Sequence, residues 1–143
     1  MLGWLGSAVL VVTAVLLAAH VIGLLRLRQD LGGSVHYPIA VLVSTVGLAV
    51  AAVFPMDPSL GFPPAADPAV VPSVAGAVHD LAGPTFLLGL AVAAVLSRRH
   101  LAVLGVRTRF MRWSGLAGMA VVLCFVTCSV LVGLDYAGIW PGA

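Results

Sequence analysis

Two short polar stretches interrupt an otherwise greasy chain: FPMDP at 54–58 and VHDLAGP at 78–84. They supply two carboxylates, Asp57 and Asp80, and one imidazole, His79. Those residue types suit acid–base catalysis. When two carboxyls share a buried site, one can keep its proton and act as a general acid, with an imidazole to assist. Set against a lipophilic substrate, such a group could start cyclisation of an isoprenoid or its epoxide, or isomerisation of a lipid. Phe54, Phe62, Phe86 and Phe125 are the candidate substrate-binding residues, since aromatic faces stabilise a passing carbocation.

Each residue also has a plain structural reading. Asp before Pro makes turns and bonds backbone amides at helix ends, which favours a structural role for Asp57. Phe54 fits an interfacial aromatic belt with Trp4, Tyr136 and Trp140. Phe86 and Phe125 fit core packing. Asp80 is harder to assign to structure. With Ser73 as N-cap after Pro72, a helix would carry Asp80 about two turns in, ~10 Å along the axis. Pro84, four residues on, cannot donate a backbone bond to the Asp80 carbonyl, which predicts a kink. A carboxylate beside a kink at the hydrocarbon edge is costly and is a functional candidate. If the helix starts later, His79 and Asp80 are ordinary interfacial residues.

Other chemistries find no support in the residues. His20, His36 and His100 lie away from the aspartates, and there is no HExxH motif or Cys cluster, so neither metal nor cofactor is expected. Cys124 and Cys128, four apart on one apolar run, read as small packing residues. There is no G-x-S-x-G elbow and no phosphate-cradling glycine loop.

The elements that must position these residues are membrane spans. Hydrophobic residues make up 62% of the chain and charged residues 8%, with a mean hydropathy of +1.17. A soluble domain of 143 residues could not bury that surface. Four apolar runs, at 3–25, 38–54, 75–97 and 113–134, approach or exceed the ~20 residues that cross a bilayer. The first is too long for a signal-peptide core and lacks a basic leader, so it reads as a retained helix. The second, the shortest, lies between Pro38 and Pro55. The fold class is therefore all-α, a single integral membrane bundle of four transmembrane helices over 1–143.

The seven basic side chains are all arginines. Arg26 and Arg28 fall between the first two runs; Arg98, Arg99, Arg107, Arg109 and Arg112 fall between the last two. By the positive-inside rule those loops are cytoplasmic, giving an N-out/C-out topology. Asp57, His79 and Asp80 then share the outer side, with Asp135 a third acid there. The proline-rich outer loop, 55–74, reads as a semi-rigid cover that brings Asp57 and Asp80 together. Gly47 with Ala51, Gly89 with Ala93, and Ser114 with Gly118 are small residues one turn apart, placed for close helix packing. The two halves show no repeat, which disfavours an inverted-repeat transporter.

An apolar helix running into FPMDP, a Pro-rich loop, then VHDLAG opening the next helix resembles the bacterial multi-pass membrane family called domain of unknown function nine-nine-eight. The resemblance covers roughly 38–100. It implies that Phe54, Pro55, Asp57, Pro58, His79 and Asp80 correspond to the family's signature, and it names no reaction.

The leading expectation is an intramembrane acid–base enzyme of the cell membrane, such as a membrane-bound terpene cyclase, with Asp80, Asp57 and His79 catalytic. Small membrane cyclases are similar in size and in carrying acids among helices. The alternative is a non-catalytic accessory or scaffold protein whose polar residues tie the outer loop to the bundle; a small carrier is less favoured at four spans. Expected partners are membrane lipids, a lipophilic small molecule and a second copy of the chain, with no nucleic acid.

The topology is directly testable. In a background with Cys124 and Cys128 replaced by Ala, a cysteine at position 65 should react with an impermeant thiol reagent on intact cells. One at position 104 should not. The reverse pattern would invert the topology.

Overall fold

The computed structural model describes residues 3–58, 73–103, 105 and 109–136. Four helices follow one another: α1 (Gly3–Leu31), α2 (His36–Val53), α3 (Val74–Val103) and α4 (Arg109–Tyr136), with no strand among the described residues. All four are long and apolar enough to cross a membrane, and the chain is a multi-pass membrane protein by that architecture. Residues 59–72, which include Phe62 and most of the proline-rich loop, lie outside the described residues. So do Arg107 and Trp140, and the side chains of Trp4, Asp135 and Tyr136.

The helices overrun the apolar runs that announce them. Arg26 and Arg28 sit in the last turns of α1, Arg98 and Arg99 in α3, and Arg109 and Arg112 in α4, rather than in loops. Hydropathy marks where side chains leave hydrocarbon, but backbone hydrogen bonding continues past that point. Arginine is a good helix former, and its long stem reaches from the helix to the interface. The true connection between α1 and α2 is only 32–35. It turns on Gly32, whose positive φ of 74° lets its N–H donate to the Arg28 carbonyl at 2.9 Å. The Arg28 Nε donates to Gly33 O at 3.2 Å and ties the turn down.

Packing follows chain order. α2 meets α3 most extensively, α1 rests on α2, and α4 rests on α3. The α2–α3 contact is close because it is built on small residues. A Cβ at Gly47 would lie 2.7 Å from Phe86 N and 3.0 Å from Ala82 O; one at Gly89 would lie 2.6 Å from Ser44 Oγ and 3.0 Å from Ser44 N. Ser44 is wholly buried and turns its hydroxyl onto Ala40 O at 3.2 Å. Gly118 plays the same part for α4, where a Cβ would lie 2.8 Å from Ala91 O. Lipid supplies little hydrophobic drive between helices, so backbone proximity and interhelical hydrogen bonds carry the association. Two such contacts join α3 to α4, Ser97 Oγ to Ser114 Oγ at 2.7 Å and Ser114 Oγ to Ala94 O at 2.9 Å, and within α3 the Ser97 hydroxyl reaches the same carbonyl at 2.7 Å. Two protons serve these three contacts, so one hydroxyl reaches the carbonyl fully while the other shares its proton with its neighbour or the same carbonyl.

The outward faces of α1 and α4 carry Val9, Val12, Val15, Leu16, Leu116, Met119 and Leu123, all exposed. In a bilayer these face lipid. Cys124 and Cys128 are free and exposed on the same kind of surface, not the packing residues expected of them. Small thiols are compatible with either setting, and four-residue spacing alone does not say which face of α4 turns inward.

Candidate functional site

Helix ends in a membrane expose backbone groups that water cannot fully satisfy. At the end where α2 stops and α3 starts, each helix supplies the other's missing partner. Phe54 closes α2, its N–H bonded to Val50 O at 3.0 Å. Its own carbonyl accepts a hydrogen bond from His79 Nδ1 at 2.8 Å. Since a carbonyl only accepts, the proton on that ring sits on Nδ1. In return, Asp57 reaches the start of α3. Its Oδ2 accepts from Ser73 N and its Oδ1 from Ser73 Oγ, both at 2.6 Å. Ser73 is the N-cap, as its sequence position predicts: its Oγ accepts from Gly76 N at 3.0 Å. The carboxylate therefore lies at the positive end of the α3 dipole. Gly76 makes room for it, because a Cβ there would overlap the Asp57 carboxylate.

Two of the three expected catalytic side chains, Asp57 and His79, are thus joined in a reciprocal clamp. The aspartate caps the start of α3 rather than the end of its own helix. Asp80 is exposed and makes no hydrogen bond among the described residues, including none to Asp57. It stands one helical turn, ~5.4 Å, beyond Gly76, the residue that Asp57 covers. Phe54 is exposed beside the clamp, while Phe86 and Phe125 are half-buried on α3 and α4. The backbone N of Phe86 lies against Gly47.

A crevice with several polar groups opens at the other end of the molecule, which carries the arginines. About 410 Å³ lies between all four helices, walled by Leu17, Leu24, Val41, Leu90 and Ala93 among others. Its polar groups are His20, Tyr37, Ser97, His100 and Ser114. The crevice exists because α1 and α4 flank the α2–α3 pair without packing closely on each other. His100, which the sequence places at the edge of a loop, is a buried residue of α3 at 8% exposure. Its ring rests on that of Tyr37, with centroids 5.0 Å apart and planes tilted by 37°. His20 lines the crevice from α1 and bonds to no other helix among the described residues. His36 is turned away, its Nδ1 2.7 Å from Ser34 Oγ. No group of three metal-ligating side chains occurs among the described residues.

A family model described as Protein of unknown function (DUF998) matches residues 2–143. The chain belongs to that family. The match takes in all four helices of this DUF998 member, well beyond the 38–100 stretch that its two short motifs mark. No curated protein and no solved structure matches it.

The clamp makes a graded prediction. Asp57→Ala removes both acceptors from Ser73 and should cost about 2 kcal/mol of stability. Asp57→Asn should cost less, because an amide can accept from Ser73 N and donate to Ser73 Oγ. Gly76→Ala should match the Ala variant by displacing the carboxylate. Thermal unfolding in detergent reads all three, and unchanged transitions for Asp57→Ala and Gly76→Ala would show that the clamp is not made.

Proposed function

We propose that this DUF998 member is a non-catalytic accessory protein of the cell membrane that holds a lipophilic small molecule between its helices. The observation that carries the reading is the crevice at the arginine end: apolar walls from α1, α2 and α3, a volume of about 410 Å³, and a few polar groups gathered in it, Ser114 of α4 among them. Sites for drug-sized ligands have this character, with about 300–1,000 Å³ of mostly apolar space and a small number of placed polar groups. The clamp supports the same reading from the other end. Both oxygens of Asp57 and the Nδ1 of His79 hold helix ends together, which is the work of a framework. With the arginine-bearing ends in the cytoplasm, the crevice opens toward the inner leaflet and the termini face out.

The second reading is the acid–base enzyme, a cyclase or isomerase of a lipophilic substrate. One observation favours it: Asp80 is unengaged among the described residues, one turn from the Asp57–Gly76 contact. Its carbonyl also loses its helical partner at Pro84, since proline carries no N–H. On this reading Asp80 is the proton donor, with Asp57 and His79 holding the local geometry.

One experiment separates the two. Wild-type protein, Leu90→Trp and Asp80→Asn are purified from the native host, and the lipophilic molecules that come with them are identified by mass spectrometry. Leu90 lines the crevice and is itself 37% exposed, so a larger side chain fills the space without entering the packed core. Leu90→Trp should lose the bound molecule, and Asp80→Asn should keep it unchanged. A new, unconverted molecule on Asp80→Asn would favour the enzyme instead.

A further inference from the structure

One residue of the crevice lining, His100, carries a group without a partner among the described residues. The Nε2 of His100 is buried and makes no hydrogen bond among the described residues. Buried polar atoms are nearly always paired, and those that are not call for a specific explanation. Ring contact with Tyr37 fixes the orientation of the imidazole. None of the crevice hydroxyls, on Tyr37, Ser97 and Ser114, reaches it, and the two serines bond each other and Ala94 O instead.

Charge is divided between two cavities that meet at His100. Among the described residues the crevice has no arginine, lysine or carboxylate in its lining. Arg99 lines a separate, smaller cavity of about 180 Å³ together with Ser34, His36, Tyr37, Leu96 and His100. An anionic headgroup in the crevice would leave water and meet no cation. A pure hydrocarbon would fill the apolar walls yet leave Nε2 unpaired. A carbonyl or ether oxygen only accepts, so it suits one tautomer of His100 alone. A hydroxyl donates and accepts, and therefore pairs with Nε2 whichever ring nitrogen holds the proton.

We propose that the crevice takes a neutral lipophilic alcohol or phenol, its hydroxyl on His100 Nε2 and its apolar body along Leu17, Leu24, Val41 and Leu90. This rests on the crevice being the binding site and adds the chemistry of the headgroup. No bond is made or broken.

The test uses the full chain in lipid nanodiscs with farnesol, farnesyl phosphate and farnesene, which share one isoprenoid body and differ at its end. Each competes against a photoreactive farnesol analogue. Farnesol should compete about tenfold better than either of the others, the scale of one hydrogen bond. His100→Phe keeps a ring and removes both nitrogens, so the preference for farnesol over farnesene should vanish. The same variant should unfold no earlier than wild type, because no buried nitrogen is left unpaired. Farnesene competing as well as farnesol overturns the hydroxyl assignment, and farnesyl phosphate competing best overturns the neutral head. If none of the three competes, the crevice reading falls with it. The wild-type comparison decides these outcomes even if the variant fails to fold.

Discussion

A helix that ends in or near a membrane must find partners for its last carbonyls and first amides, and in this protein two helices find them in each other. His79 of α3 donates to the carbonyl that closes α2, and Asp57, just past α2, accepts from the residue that opens α3. The exchange pins the two helices at one end. From there the glycine contacts run along the seam, Gly47 against the backbone at Phe86 and Gly89 against Ser44. The outer helices add to this pair one at a time, α1 on α2 and α4 on α3. A space between the flanking helices follows from that arrangement, and it opens at the end opposite the clamp.

The two ends of the molecule therefore do different work. At the proline end, polar side chains are spent on backbone partners and on a glycine that admits a carboxylate. At the arginine end, the polar groups of the crevice include a histidine with a buried nitrogen that has no partner among the described residues. A framework rigid at one end and open at the other suits the holding of a lipophilic molecule from the membrane. It also places Asp80 at the tight end, where acid–base chemistry would have to be done if this chain does any.

Much of the fold can be read from the chain because lipid imposes simple demands. Run length gives four helices, Ser73 after a proline gives the start of α3, and small residues one turn apart give the close contacts. Asp57 between two prolines reads as a capping residue, but not which helix it caps. Its partner Ser73 is distant in sequence, and the packing of α3 against α2 brings the two together. His100 is hidden for another reason. A hydropathy window stops near Ser97, where polar residues begin, while backbone hydrogen bonds carry α3 on to Val103. The spacing of Gly89, Ala93, Ser97 and His100 holds the missing signal. These four fall at helical intervals along one face, so the seam marked by the first three extends to the histidine. The crevice itself leaves no mark in the sequence, because it arises from helices that do not meet.

The division of labour between the two ends is tested most directly by an experimental structure in nanodiscs prepared from the native membrane. Density for a retained lipophilic molecule should lie between α1 and α4, against Val41 and Ala93, with its polar end at His100. Density seated instead against Asp80 and Asp57 at the proline end, with the crevice holding only disordered lipid, would contradict the account.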